Sequence, residues 1–336
     1  MDAQLPFASL DGALAIVSGS AGGLGSALCE ALVAQGCSVA HCDVHEGRLQ
    51  DVHQRLLRLT SDGIGGIKDR AASVSAHVVD VADEASVARL AREVGETHST
   101  KGRKLLLFNN AGVVGGESIF GDRRDFDRCF ETNWRGVYLP TRAFLPMLLE
   151  SSRGCIINTS SILGFWANPS YFHSTTAYSA SKFAVKGFTE ALIADFRLRA
   201  PHLSVAVVMP GHVGTSIVDS LPPVDVAAFR DSYAQAKRHL DSVRGTSEYE
   251  SLERAGLVAQ YSKDLDKIPD DVLAKRVQGV RARFSRGGMK PKDAAEVILK
   301  GIKRGRWRIL VGGDAHLVDG AVRRDPGAAY GAGFME

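Results

Sequence analysis

The sequence predicts an α/β protein: one doubly wound domain with a seven-stranded parallel sheet and an extended helical lid. Two observations carry this. Between Ala13 and Arg308, short apolar runs alternate with longer amphipathic segments, the pattern of buried parallel strands joined by crossover helices. The first run leads directly into a glycine cluster, Gly19, Gly22, Gly23 and Gly25, where a strand has to turn into a helix. The 336 residues are 45% apolar and 24% charged, globular values that exclude a disordered, collagenous or coiled-coil chain.

Strands are predicted over 13–18, 38–42, 75–79, 104–108, 154–159, 203–208 and 306–311. They read as nearly continuous Val, Ile, Leu and Ala, as strands covered on both faces should. Helices are predicted over 23–35, 45–60, 83–98, 122–150, 178–199 and 291–303, the last opened by Pro291 at the first helical position that proline tolerates. Residues 61–74, with Gly63, Gly65 and Gly66, read as a loop. The stretch 216–290 breaks the alternation: Pro222 and Pro223 precede polar helical segments near 224–243, 246–262 and 269–285. It reads as an inserted lid within a single domain spanning 1–336. The tail 312–336 lacks periodicity, and an irregular, draped segment is expected there.

With 41 Lys and Arg against 38 Asp and Glu, the net charge is only +3, too small a field to gather nucleic acid. The five cysteines form no Cys-x-x-Cys pair or Cys/His array, which points to free thiols in a reducing cytoplasm. No secretory leader is read at the N-terminus. No run of 18 apolar residues occurs, so no membrane partner is expected. His41, His45 and His53 lack ligand spacing with acidic partners, and no metal site is expected. Lys300, Lys303, Arg304, Arg306 and Arg308 read as a solvated helix end, where cations suit the dipole.

The glycine turn is where chemistry first shows. Glycine permits a tight turn and a close approach of the backbone to a pyrophosphate, whose charge the helix N-terminus favours. Asp43 follows the second strand, 18 residues beyond Gly25, where a carboxylate accepts hydrogen bonds from adenosine ribose hydroxyls. A 2′-phosphate there would meet like charge, so NAD is expected over NADP.

The spacing Gly-x-x-x-Gly-x-Gly resembles the short-chain dehydrogenase/reductases, and four further motifs of that family stand in order: Asp80-Val81, Asn109-Asn110-Ala111-Gly112, Tyr178-Ser179-Ala180-Ser181-Lys182 and Pro210-Gly211-His212-Val213-Gly214-Thr215. The resemblance covers 10–215 closely and 291–311 loosely. It implies a Rossmann fold and an NAD cofactor. Gly19, Ser20, Gly22, Gly23, Leu24 and Gly25 would meet the pyrophosphate, and Asp43 with Val44 the adenosine ribose. Asp80 and Val81 would border the adenine, and Asn110, Ala111 and Gly112 the adenine-ribose side. Pro210, Gly211, Val213 and Thr215 would flank the nicotinamide amide and the pyrophosphate. Ser18 stands where the family usually has threonine, which preserves the hydroxyl.

Tyr178 and Lys182 are four apart at the head of a predicted helix, so they share a face. A phenol with pKa ~10 needs ~4 kcal/mol of help to act as a base near neutrality. One cation at about 4–5 Å in an effective dielectric of about 20 supplies ~3–4 kcal/mol, and an oxidised nicotinamide adds a second positive charge. The resemblance makes Tyr178 the general acid/base, Lys182 its partner and a ligand of the nicotinamide ribose, Ser161 the holder of the substrate oxygen, and Asn133 part of a water-mediated proton path. Ser160 is the alternative by one residue. Seventeen positions separate Ser161 from Tyr178, more than the family usually has, and the excess falls in 166–173.

The implied activity is hydride transfer between NAD and a secondary alcohol or ketone. Phe165, Trp166, Tyr171, Phe172, Phe229 and Tyr233 could line an apolar cleft for a bulky hydrophobic or aromatic substrate. The alternatives are a 3-oxoacyl-thioester or steroid reductase and, outside enzymes, an NAD(H)-sensing regulator. The family is commonly a homodimer or homotetramer through helices matching 122–150 and 178–199.

Overall fold

The computed structural model describes residues 6–61, 72–115, 118–167, 175–221, 223–254, 258–259 and 265–330. Strands and helices alternate from the start: β1 Leu14–Ser18, α1 Gly23–Val33, β2 Ser38–Asp43, α2 Glu46–Ser61, β3 Val74–Val78, α3 Glu84–Thr97 and β4 Lys104–Asn109. Then come α4 Arg123–Phe130, α5 Gly136–Leu149, β5 Arg153–Thr159, α6 Thr176–Arg199 and β6 Leu203–Pro210. The 216–290 segment supplies α7 Val226–Ser242, α8 Ser247–Arg254 and α9 Asp270–Arg286, and the chain returns through α10 Pro291–Lys303, β7 Arg308–Val311 and α11 Gly313–Arg324.

The seven strands form one sheet in the order β3-β2-β1-β4-β5-β6-β7, and each neighbouring pair is parallel. Alternate residues of β1 serve opposite faces. Ala15 and Val17 pack with Leu28 and Leu32 of α1 and Ile298 of α10. Leu14 and Ile16 join the core that holds Leu90 of α3, Phe144 of α5 and Phe196 of α6. Burial on both faces is why β1 and β4 carry no polar alternation, whereas the edge strand β3, Val-Ser-Ala-His-Val, is part-buried and alternates. Winding direction reverses between β1 and β4, and the crevice beyond their C-terminal ends is where such sheets bind ligands.

Two expectations are corrected. The helix expected over 122–150 is two helices joined by a π-helical turn, Glu131–Arg135, which carries the buried Asn133. The tail expected to be irregular instead forms α11, whose Ala315 and Val318 are buried. The loop expected over 61–74 lies largely outside the described residues. Among the described residues no helix is long and apolar enough to cross a membrane.

Candidate active site

The turn after β1 is closed by contacts that leave no room for side chains. A Cβ on Gly25 would lie 2.0 Å from the Gly19 carbonyl oxygen, and one on Gly23, where φ is +52°, would lie 3.0 Å from Thr215 Cβ. The Ser18 hydroxyl accepts from the Asn110 and Ala111 amides at 3.1 Å each, and Asn110 Nδ2 donates back to the Ser18 carbonyl at 3.1 Å. One hydroxyl therefore ties the glycine turn to the loop after β4. Asp43 closes the other side: Oδ2 accepts from the Ala21 amide at 2.9 Å and Oδ1 from the His45 amide at 3.0 Å. Its carboxylate stands at the tip of β2 beside the turn, with lone pairs left for a ribose. The arrangement fits a dinucleotide.

The predicted nucleotide residues divide by what they offer. Val44 is exposed at the rim. Val81 is buried against Gly136, where an added Cβ would lie 2.7 Å from Val81 Cγ2. Asp80 uses Oδ1 to accept from the Ala82 amide at 2.9 Å. Ser20 turns inward: its amide donates to the Cys42 carbonyl at 3.2 Å, and its hydroxyl lies 3.0 Å from His41 Nδ1. Burial drives the His41 imidazole down to about 3, so it is neutral, and its Nε2 lies 3.3 Å from His53 Nδ1.

Tyr178 and Lys182 occupy the first turns of α6. The Lys182 ammonium donates to the Thr159 carbonyl at 3.0 Å and lies 5.6 Å from the Tyr178 ring centroid. Asn133 is brought to the same place by the π turn: Oδ1 accepts from the Val113 amide at 2.9 Å, and Nδ2 donates to the Val113 carbonyl and to Ser181 Oγ at 3.0 Å each. A Cβ on Gly112 would lie 3.1 Å from Asn133 Oδ1 and 3.3 Å from Lys182 Nζ, so these groups converge at the loop after β4. Ser161 accepts from the Leu163 amide at 3.1 Å and stands by the Tyr178 hydroxyl, whose ionised form it favours. Ser160 instead donates to the Lys182 carbonyl at 2.8 Å and is buried. Of the two serines, Ser161 is the one beside the phenol.

Burial changes the electrostatics expected from spacing. It pushes the Tyr178 phenol up to about 12, opposed in part by Ser161. It pulls the Lys182 ammonium down to about 8, because removal from water disfavours each charged form. Sequence reasoning supplied the cation and omitted this desolvation. It also missed Cys129, which lies 3.5 Å from Asn133 Nδ2 and whose thiol burial pushes up to about 11. The only sequence signal was its place one helical turn before Asn133.

Residues 13–223 match the family model described as short chain dehydrogenase. The chain belongs to the short-chain dehydrogenase family. It is 26% identical over 214 residues to the 3-oxoacyl-[acyl-carrier-protein] reductase FabG of Thermotoga maritima, covering 63% of this chain and 79% of that one. It shares 30% identity over 253 residues with nodulation protein G of Azospirillum brasilense, covering 73% and 93% respectively. Among solved structures, a short-chain dehydrogenase/reductase from Burkholderia phymatum in complex with NAD aligns with TM-score 0.65 and 26% identity, over 94% of this chain and 96% of that one. The protein is thus an oxidoreductase of this family on a Rossmann nucleotide-binding fold.

In this short-chain dehydrogenase the loop after β6 is held from the C-terminal side. The Gly211 amide donates to the Val311 carbonyl at 2.9 Å, and the His212 amide to Asp314 Oδ2, at the start of α11, at 2.6 Å. Val213 bridges to Met289. Asp314 escaped sequence reading because α11 did. The same helix accounts for two aromatics expected to line a pocket: Trp166 is buried against Val318 and Ala329, with Phe165 packed on that cluster, and Trp166 Nε1 donates to the Ala329 carbonyl at 2.7 Å. Tyr233 packs within the 216–290 segment against Leu240 and Leu252, and Phe229 is half-buried. Tyr171 and Phe172 lie outside the described residues. Trp166 is thus used for packing, which corrects the expectation that it lines the cleft, while Phe165 and Tyr233 pack on these clusters and stay half-buried.

Proposed function

We propose that the protein is an NAD-dependent oxidoreductase that interconverts a secondary alcohol and a ketone. The observation that carries this is the convergence of Ser161, Tyr178, Lys182 and Asn133 beside the crevice at the β1/β4 reversal. When bound, the dinucleotide supplies the hydride exchange, and the glycine turn, Asp43, the 110–112 loop and Thr215 would hold it. Ser161 holds the substrate oxygen and steadies charge as it develops there. Tyr178 takes or gives the hydroxyl proton at its phenolic oxygen. Lys182 favours the phenolate, and Asn133 fixes the 113 backbone and Ser181 next to it.

Support for NAD over NADP is the Asp43 carboxylate, which would repel a 2′-phosphate. The 216–290 segment is read as a lid of the one domain, and its length supports a bulky, hydrophobic alcohol or ketone. A second reading, reduction of a 3-oxoacyl thioester, is favoured by the similarity to the Thermotoga maritima reductase. A regulator that only senses NAD(H) would have no need of Ser161 beside Tyr178 and Lys182. For assembly as a homodimer or homotetramer the support is an aromatic surface: Tyr138 and Phe183 are each 40% exposed, and Trp134 meets Phe188 edge-on at 5.3 Å.

The test is a panel of aliphatic, aromatic and steroid alcohols and 3-oxoacyl thioesters, each assayed with NAD(H) and NADP(H), on wild type and Tyr178→Phe. The expected result is NAD-linked oxidation of a large secondary alcohol, lost in Tyr178→Phe. Full activity in Tyr178→Phe would overturn the proton role.

A further inference from the structure

We infer that Arg128 is a positioning residue that ties residues 216–220 across the mouth of the nucleotide crevice and thereby sets how long a dinucleotide stays bound. This rests on the nucleotide-binding reading of the crevice. The strap begins on one wall, where Thr215 lies against Gly23 and Ser216 Oγ is 3.8 Å from the Cβ position of Gly22. It ends on the other wall, at the loop after β4. There the Val114 amide donates to Ser220 Oγ at 3.0 Å, and that hydroxyl donates to the Ile217 carbonyl at 2.6 Å. The 3₁₀ turn Ser216–Ser220 therefore spans from the glycine turn to the segment that follows Gly112.

Arg128 gathers the far end. Its Nη2 donates to the Val114 carbonyl at 3.3 Å, to the Ser220 carbonyl at 3.1 Å and to Asp125 Oδ1 at 2.6 Å. One guanidinium from α4 thus bonds both sides of the closure, and Asp125 orients it. Gly115 makes the room: φ is +152°, and a Cβ there would lie 2.7 Å from Arg128 Nη2 and 2.8 Å from Asp125 Oδ1. The two ends of the strap differ in kind. Among the described residues no hydrogen bond joins 215–220 to the glycine turn, whereas the Val114 end holds a neutral bond at Ser220 Oγ and charge-assisted bonds from Arg128, the stronger kind. A dinucleotide lying along the glycine turn beneath the strap leaves when the strap lifts, and the bonded Val114 end is what resists lifting, so changes at Arg128 act on dissociation rather than on encounter.

The experiment measures NADH and NADPH release by stopped-flow fluorescence from wild type, Arg128→Ala, Arg128→Lys and Ser220→Ala, with thermal unfolding of each as the control for folding. Release from Arg128→Ala is expected to be about tenfold faster, equivalent to about 1.4 kcal/mol of lost contact. Arg128→Lys, which keeps the charge and one donor, recovers part of the delay, and Ser220→Ala gives a smaller increase. If Arg128→Ala does not fold, Ser220→Ala and Gly115→Ala, which drives a methyl into the Arg128–Asp125 pair, carry the test. Binding with release rates unchanged in every folded variant overturns the strap and leaves the nucleotide reading standing. Failure of the wild type to bind either nucleotide overturns both.

Discussion

Removing the Lys182 ammonium costs activity only in the pH range where that ammonium is protonated. Burial has pushed the phenol up to about 12 and pulled the ammonium down to about 8, so below about pH 8 a cation stands by a neutral phenol. Their separation, 5.6 Å to the ring centroid, gives an attraction between ammonium and phenolate of ~3 kcal/mol at an effective dielectric of about 20. That is ~2 pKa units. The sign follows from charge: below about pH 8 the ammonium favours the negative charge that develops on the Tyr178 oxygen, and above about pH 8 the neutral amine does not. Near neutrality Lys182→Met therefore lowers kcat/KM for alcohol oxidation ~100-fold, and the gap between the two enzymes closes as the pH rises past about 8. The kcat/KM–pH profiles of wild type and Lys182→Met, measured side by side, check this. A ratio between them that does not change across about pH 8 would refute the electrostatic account of the pair.

Three further outcomes are expected. Asp43→Ser weakens NAD binding about 10- to 100-fold, the range set by ~1.5–3 kcal/mol for bonds to a charged group, and narrows the preference over NADP; calorimetry with both nucleotides checks it, and an unaltered preference sinks the role given to Asp43. His41 is held neutral down to about 3, whereas the unfolded chain takes that proton near about 6.5. Stability from this group is therefore complete above about pH 6.5 and falls as the pH drops toward about 3, by ~2 kcal/mol at about pH 5. Denaturant unfolding of His41→Asn should show a flatter acid limb than wild type, and equal slopes would count against this. Gly25→Ala places a methyl 2.0 Å from the Gly19 carbonyl, so a loss of ~1–3 kcal/mol and of NADH affinity is expected; an unchanged Tm and Kd would contradict the close packing read there.

Local signals carried the sheet and its crossover helices. β5, expected over 154–159, is Arg153–Thr159, and α10, expected over 291–303, is Pro291–Lys303, because a doubly buried strand and a proline-opened amphipathic helix each announce themselves within one window. α11 was missed for the converse reason. Its buried Ala315 and Val318 and half-buried Val322 keep helical spacing, but Gly312, Gly313, Gly320 and Asp325-Pro326-Gly327 all argue locally for turns. What holds the segment helical is its partner Trp166, distant in sequence. The π turn at Asn133 was illegible likewise, since Glu131–Arg135 contains no glycine or proline to mark a break between the two helices.

By itself, then, the sequence determined the winding, the glycine turn, the acidic tip of β2 and the Tyr178/Lys182 face, since each is fixed by the chain within a few residues of itself. Tertiary structure alone decided which serine meets the phenol, how far burial displaces Tyr178 and Lys182, and that Arg128 reaches Ser220. These depend on which distant segments exclude water from a group or stand within bonding distance of it, and such proximity has no signature in local spacing.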